Sequence, residues 1–164
     1  MESGVCRLVS RHGNEFRLFA TLRAAMARDL APFAAILDGE IVRLGEDGRP
    51  QFYELMKRPG PFSFYAFDLL WLDGSDLRQR PLVERKTELR KLVPLEPQAV
   101  RYVEHVASGT ELFRAICELD MEGIVAKQAA GLYTLEATTW VKVKNRAYSQ
   151  AVARSDFFDR RRAR

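Results

Sequence analysis

Five short segments carry side chains whose types and spacing suit a phosphorylated ligand. In Asp38-Gly39-Glu40 the acids stand two residues apart, so on a strand both carboxylates project from one face. Gly39 between them allows another chain or a ligand close to the backbone. Such a pair suits a divalent cation or a ribose hydroxyl. The plainer reading is a turn at a strand end with solvated acids. Tyr65-Ala66-Phe67-Asp68-Leu69-Leu70 puts Tyr65, Phe67, Leu69 and Trp71 on one face, which offers an aromatic ring to a flat base such as adenine. Asp68 points the other way with Phe64 and Ala66, where a buried acid requires a partner. As an isolated stripe, these rings also read as core packing.

Glu122-Gly123-Ile124-Val125-Ala126-Lys127 sets a carboxylate at the mouth of an apolar strand, placed to hold Mg2+, while Gly123 leaves room for phosphate. Alternation sends Glu122 and Lys127 to opposite faces, so the two are not expected on one ligand. A helix-to-strand turn capped by Glu122 is the alternative. Trp140-Val141-Lys142-Val143-Lys144 projects Lys142 and Lys144 together, with Val141 and Val143 expected toward the core. Two ammonium groups on one rigid strand can hold phosphates. Outward lysines on an amphipathic strand are the ordinary alternative. In Ser10-Arg11-His12-Gly13-Asn14, an arginine in a tight turn can make a bidentate contact to phosphate.

Taken in order and at these separations, D-G-E, Y-A-F-D-L, E-G-I-V-A-K and W-V-K-V-K resemble the nucleotidyltransferase motifs of ATP-dependent DNA ligases. Ser10 to Asn14 matches the S-R-x-G-N turn that precedes them in that family. The resemblance covers nearly the whole chain and is nearest to bacterial ligases of the end-joining type. It implies an α+β, ATP-grasp-like nucleotidyltransferase core of mainly antiparallel sheets with covering helices. It also implies ATP with Mg2+ or Mn2+, nicked or broken duplex DNA as partner, and end-joining or repair proteins alongside. By the same resemblance Phe67 stacks on adenine, Glu40 contacts ribose or the metal site, and Glu122 helps hold Mg2+. Lys142 and Lys144 bind the α-phosphate and stabilise its developing charge, and Arg11 assists on a nucleotide or DNA phosphate. RNA ligases and capping guanylyltransferases share the superfamily, but the Y-A-F-D-L-L-W-L-D-G block favours a DNA ligase.

The family's nucleophile is the lysine of K-x-D-G, upstream of S-R-x-G-N. The residues before Ser10 include no lysine, and none of Lys57, Lys86, Lys91, Lys127, Lys142 and Lys144 is followed by x-D-G. A nucleophilic lysine must be held with a lowered pKa beside the phosphate it attacks. The expectation is a partial adenylation domain over residues 1–145, truncated at its N-terminus and unable to adenylate itself, with a basic tail over 146–164 and no OB-fold. The alternative is a non-catalytic nucleotide- or DNA-binding remnant, or a subunit complementing a chain that supplies the lysine.

The motifs need elements to carry them. Val5 to Ser10 suggests a short strand before the turn. Phe19, Leu22, Met26 and Leu30 recur at helical spacing, and Pro32 ends that helix. Ile36–Leu44 and Phe62–Leu72 read as strands, the second closed by Asp73-Gly74, with a short helix over Gln51–Met56 between them. Pro81 opens a helix carrying Leu82, Val83, Leu89 and Leu92. Ala99–Ala107 alternates as a strand, Ser108 to Glu111 has capping-box spacing ahead of Leu112, Phe113, Ile116 and Leu119, and strands follow near Gly123–Gln128 and Thr139–Asn145.

At 164 residues the chain fits one domain that needs no disulfide staples. Two cysteines without C-x-x-C and two histidines exclude the usual zinc spacings and point to a reducing, cytoplasmic compartment. No signal peptide or membrane span is expected. Residues 141–164 carry a net +6 against +4 for the whole chain, which leaves −2 for residues 1–140. The basic end could meet a polyanion, or be a solvated tail.

Overall fold

A computed structural model of the chain describes residues 4–16, 18–46, 48, 50–51, 60–96, 99–134 and 140–149. All but the first residue of the helix expected over Gln51–Met56, and the basic run from 150 onward, lie outside them. Helix α1 (Ala20–Asp29) forms where the 3.6-residue spacing put it, and Leu22 and Met26 are buried with Phe19 and Leu30 at its ends. Its last residue, Asp29, accepts hydrogen bonds at Oδ2 from the backbone of Ala99 (2.7 Å) and Val100 (2.9 Å). That contact anchors the helix end to the sheet beneath it.

The larger sheet is built on β2 (Ser63–Leu72), which pairs antiparallel with β1 (Ala35–Val42). Asp73 (φ 43°) and Gly74 (φ 91°) both take left-handed backbone, which turns β2 directly into β3 (Ser75–Asp76). At the other end of β2, Phe64 to Ala66 pair in parallel with β4 (Val100–Tyr102). Helix α2 (Leu82–Leu92) packs on β2 and follows Pro81, which is extended (φ −53°, ψ 144°) one residue ahead of the first helical position. Leu8, Phe64, Ala66, Leu69, Leu89, Leu92 and Val100 fill the core between these layers. The second sheet is a two-stranded antiparallel ribbon, β5 (Gly123–Lys127) with β6 (Trp140–Lys144), backed by α3 (Gly109–Glu118).

Several expectations change. Between Val5 and Ser10 the backbone forms isolated bridges at Val5 and Val9, the latter to Glu15, rather than a strand. Strand β4 stops at Tyr102 because the next carbonyl, of Val103, accepts from Lys86 Nζ at 2.9 Å instead of continuing a ladder. Ser108 precedes α3 in extended backbone but makes no side-chain cap bond. Val141 and Val143 do not face a core: they are 64% and 37% exposed. Among the described residues, no second layer covers β6. No helix among the described residues is long and apolar enough to cross a membrane.

Candidate functional site

The register of β1 on β2 has two skips. Leu37 pairs with Leu69 while Ile36 pairs with Trp71, and Asp38 pairs with Asp68 while Gly39 pairs with Ala66, so Leu70 and Phe67 are passed over. An extra residue of this kind bends the strand and re-aims its side chains. Simple alternation therefore fails here: Asp68 and Leu69 are both buried, while Phe67 is half-buried. Gly39 is required by packing, since a Cβ there would lie 2.5 Å from Phe64 Cζ and 2.6 Å from the Tyr65 carbonyl.

Register pairing brings two carboxylates, Asp38 and Asp68, onto neighbouring strands. Buried acids in that position need cations or donors. Asp68 is met by Arg85 of α2 in a two-pronged pair, Nε to Oδ1 at 2.8 Å and Nη2 to Oδ2 at 2.9 Å. The remaining guanidinium nitrogen, Nη1, donates to the carbonyls of Arg80 (2.5 Å) and Gly131 (3.2 Å). Asp38 accepts from the Tyr133 hydroxyl at 3.3 Å. Burial pushes its carboxyl above the ordinary range, against the opposing pull of Lys127 and of Tyr133.

Lys127, at the end of β5, reaches across from the second sheet with Nζ 4.2 Å from the Phe67 ring centroid. Burial lowers its ammonium below the usual lysine range, partly offset by Asp68 and Asp38. The segment after β5 is tied to α2 and the turn before it. Leu82 N donates to the Gly131 carbonyl (3.0 Å), Val83 N to Ala129 (3.1 Å) and Tyr133 N to Arg78 (2.9 Å). Asp38 and Phe67 on the larger sheet thus meet Tyr133, in the loop after β5, and Lys127, at the end of β5.

The ribbon supplies a second cluster. Glu122 Oε1 lies 2.7 Å from Lys142 Nζ, each side chain about one-third exposed (32% and 37%). Gly123 pairs in register with Lys144 and Val125 with Lys142. Asn145 closes the end of the ribbon: its backbone N–H donates to the Glu122 carbonyl (2.8 Å) and its side-chain amide to Met121 (3.1 Å). Glu40 and Lys144 are exposed, and Glu40 pairs in register with Tyr65. Arg11 stands exposed in a turn closed on Ser10 Oγ by the N–H groups of His12 (3.3 Å) and Asn14 (3.1 Å), and its Nε donates to His12 at 3.2 Å.

Of the residues singled out in the sequence, the structure joins Glu122 to Lys142 directly and sets Phe67 against Lys127. Arg85, Tyr133 and Asn145 were not anticipated. Asp68 signalled the need for a partner, but nothing marked which arginine would meet it. Tyr133→Phe removes a donor that favours the Asp38 carboxylate, so Asp38 should titrate at still higher pH in a carboxyl-carbon NMR titration. A folded-state pKa above the unfolded one means this group's contribution to stability is lost as pH rises through that value. The variant should therefore lose stability with rising pH over a window whose upper limit moves up while its lower limit, set by the unfolded chain, stays put. An unchanged Asp38 titration would remove Tyr133 from the cluster.

The family model for the ATP dependent DNA ligase domain matches residues 1–144. The chain belongs to this ligase family. The SPbeta prophage-derived DNA ligase-like protein LigB of Bacillus subtilis is 30% identical over 155 residues, covering 89% of this chain and 56% of its own length. The multifunctional non-homologous end joining protein LigD of Pseudomonas aeruginosa is 31% identical over 153 residues, covering 88% of this chain and 18% of its own. Among solved structures, the ligase domain of M. tuberculosis LigD aligns with TM-score 0.75 at 32% identity, over 86% of this chain and 47% of that one. A mycobacterial DNA ligase D complexed with ATP and MES aligns with TM-score 0.76 at 32% identity, over 87% and 48%. The mixed helix and antiparallel-sheet architecture is that of the ligase nucleotidyltransferase core. This ligase-family chain spans about half, or less, of the length of these relatives.

Proposed function

We propose that this ligase-family chain binds ATP with Mg2+ in the cleft between its two sheets and does not itself form the covalent lysyl-AMP. The observation that carries the reading is the Glu122–Lys142 pair at 2.7 Å, partly open to solvent at the end of the ribbon. An exposed pair of this kind contributes little to stability, so its two charges can separate readily, one toward a cation and the other toward a phosphate. Among the described residues, no three His, Cys, Asp or Glu side chains converge as a metal cage. Mg2+ does not require one, because it takes one or two carboxylates together with substrate phosphates and water. Glu122, with Glu40 on the larger sheet, fits that donor set.

In this reading Phe67 stacks on adenine, and Lys142 and Lys144 neutralise charge that develops on the α-phosphate. Arg11 adds a guanidinium for a nucleotide or DNA phosphate. A bound Mg2+ would polarise the phosphate oxygens. The related mycobacterial ligase D complexed with ATP supports the choice of nucleotide. Transfer to nicked or broken duplex DNA in repair is the role suggested by the end-joining relatives. The attacking lysine of K-x-D-G is not in this sequence, so sealing would require that lysine from elsewhere.

Calorimetric titration with ATP and GTP in Mg2+ tests the binding, with ATP expected to bind selectively. Lys142→Ala and Glu122→Gln should each weaken ATP by ~10–100-fold, the scale of one charge-assisted hydrogen bond. Binding of neither nucleotide would overturn the proposal. Incubation with labelled ATP should leave no acid-labile, lysine-linked AMP on the chain, and its appearance would refute the inability to self-adenylate.

A further inference from the structure

The Phe67 ring already carries a cation. Lys127 Nζ lies 4.2 Å from its centroid, inside the ~6 Å over which an ammonium is attracted to an aromatic face. Stacked aromatic rings place their centroids roughly 4.5–7 Å apart. The ammonium therefore stands in the layer that a base stacked on that face would fill. Lys127 comes from β5 on the ribbon, while Phe67 sits on β2 at a skip in its pairing with β1.

Two carboxylates lie near this ammonium, and they are engaged differently. Asp68 has one oxygen on each of two Arg85 nitrogens and also accepts from Leu69 N at 2.9 Å. Asp38 accepts from the Gly39 backbone N–H and, at 3.3 Å, from the Tyr133 hydroxyl. A carboxylate has about four lone-pair sites, so Asp38 retains room for another donor.

We propose that Lys127 is a stand-in for the base: its ammonium covers Phe67 when no nucleotide is bound, and adenine displaces it onto the Asp38 carboxylate. This rests on the reading that Phe67 stacks on adenine. The exchange leaves no charge stranded, because the cation–π contact is replaced by an ion pair inside the same cleft. Burial lowers the Lys127 ammonium where it stands, and pairing with a carboxylate relieves that. The lysine stem also keeps water from the ring in the empty state. Lys127 then acts as a positioning residue that couples stacking of the base to a contact between the two sheets.

The test uses the whole chain in two measurements. In the free protein the Lys127 ε-methylene protons should show an upfield ring-current shift, which saturation with ATP and Mg2+ abolishes. ATP affinity is then compared among the parent chain, Asp38→Asn, Lys127→Met and the double variant. Asp38→Asn should weaken ATP ~10-fold in the parent but have little effect in the Lys127→Met background, where no ammonium needs a destination. ATP binding with unmoved Lys127 signals, or equal losses in both backgrounds, overturns the exchange alone. Absence of ATP binding, seen directly by calorimetry, overturns the functional reading and the exchange with it.

Discussion

Arg85→Met is expected to destabilise the fold by about 3–5 kcal/mol, the usual consequence of removing one partner from a fully buried ion pair. Asp68 and Arg85 are 1% and 2% exposed, and their contact is two-pronged. The same guanidinium also satisfies the Arg80 and Gly131 carbonyls. Methionine fills much of the volume but leaves a carboxylate buried beside Asp38 and takes a donor from the Arg80 carbonyl, while the Gly131 carbonyl keeps the Leu82 N–H. Arg85→Lys should recover only part of the loss, because a single ammonium cannot span both carboxylate oxygens and both carbonyls. The companion Asp68→Leu in the Arg85→Met background should restore much of the stability, since an apolar pair of similar volume leaves no charge in the core. Urea unfolding midpoints for the three variants decide the matter. A loss below about 1 kcal/mol for Arg85→Met would mean that water or another side chain reaches Asp68.

That network also shows where sequence reasoning reached and where it stopped. Helix α1 was legible because Phe19, Leu22, Met26 and Leu30 repeat at 3.6-residue spacing, and β2 because its long apolar run ends at Asp73-Gly74. The motif residues were legible as residue types, since carboxylate, ring and ammonium in that order are chemically specific. Side-chain direction on β2 was not. The skips at Phe67 and Leu70 depend on how β1 lies alongside, and no local pattern in β2 encodes them. Counting by two grouped Leu69 with Phe67, whereas Leu69 is buried together with Asp68. Arg85 and Tyr133 were invisible for a related reason. One sits on a helix and the other in a loop, and each acquires its role only when the chain brings it back against β2 and β1. Val141 and Val143 are exposed because no described element covers that face of β6, which an amphipathic pattern cannot reveal.

Gly123→Ala should loosen the ribbon while leaving the larger sheet intact, and this separates two readings of the glycine. The sequence suggests that Gly123 leaves room for phosphate. The structure adds a stronger demand: a Cβ at this position would lie 2.2 Å from the Val143 carbonyl oxygen and 3.0 Å from Lys144 Cα. Its φ of 152° also lies where side-chain-bearing residues are strained. Both obstacles are backbone of the paired strand, so no side chain can turn aside to make space. Strain of this kind costs on the order of 1–3 kcal/mol before any steric overlap is added. Among the described residues α3 is the helix that backs β5, and β6 is exposed along its length, so little packing would hold the strands in register. Amide exchange in β5 and β6 should therefore accelerate about 10–100-fold with β1 and β2 unchanged, since local openings report local stability. ATP affinity should fall with it, because separating the strands moves Lys142 away from Glu122. Weakened ATP binding with unchanged ribbon exchange would favour the phosphate-room reading instead. Loss of protection across both sheets would show that the ribbon and the larger sheet unfold as one unit.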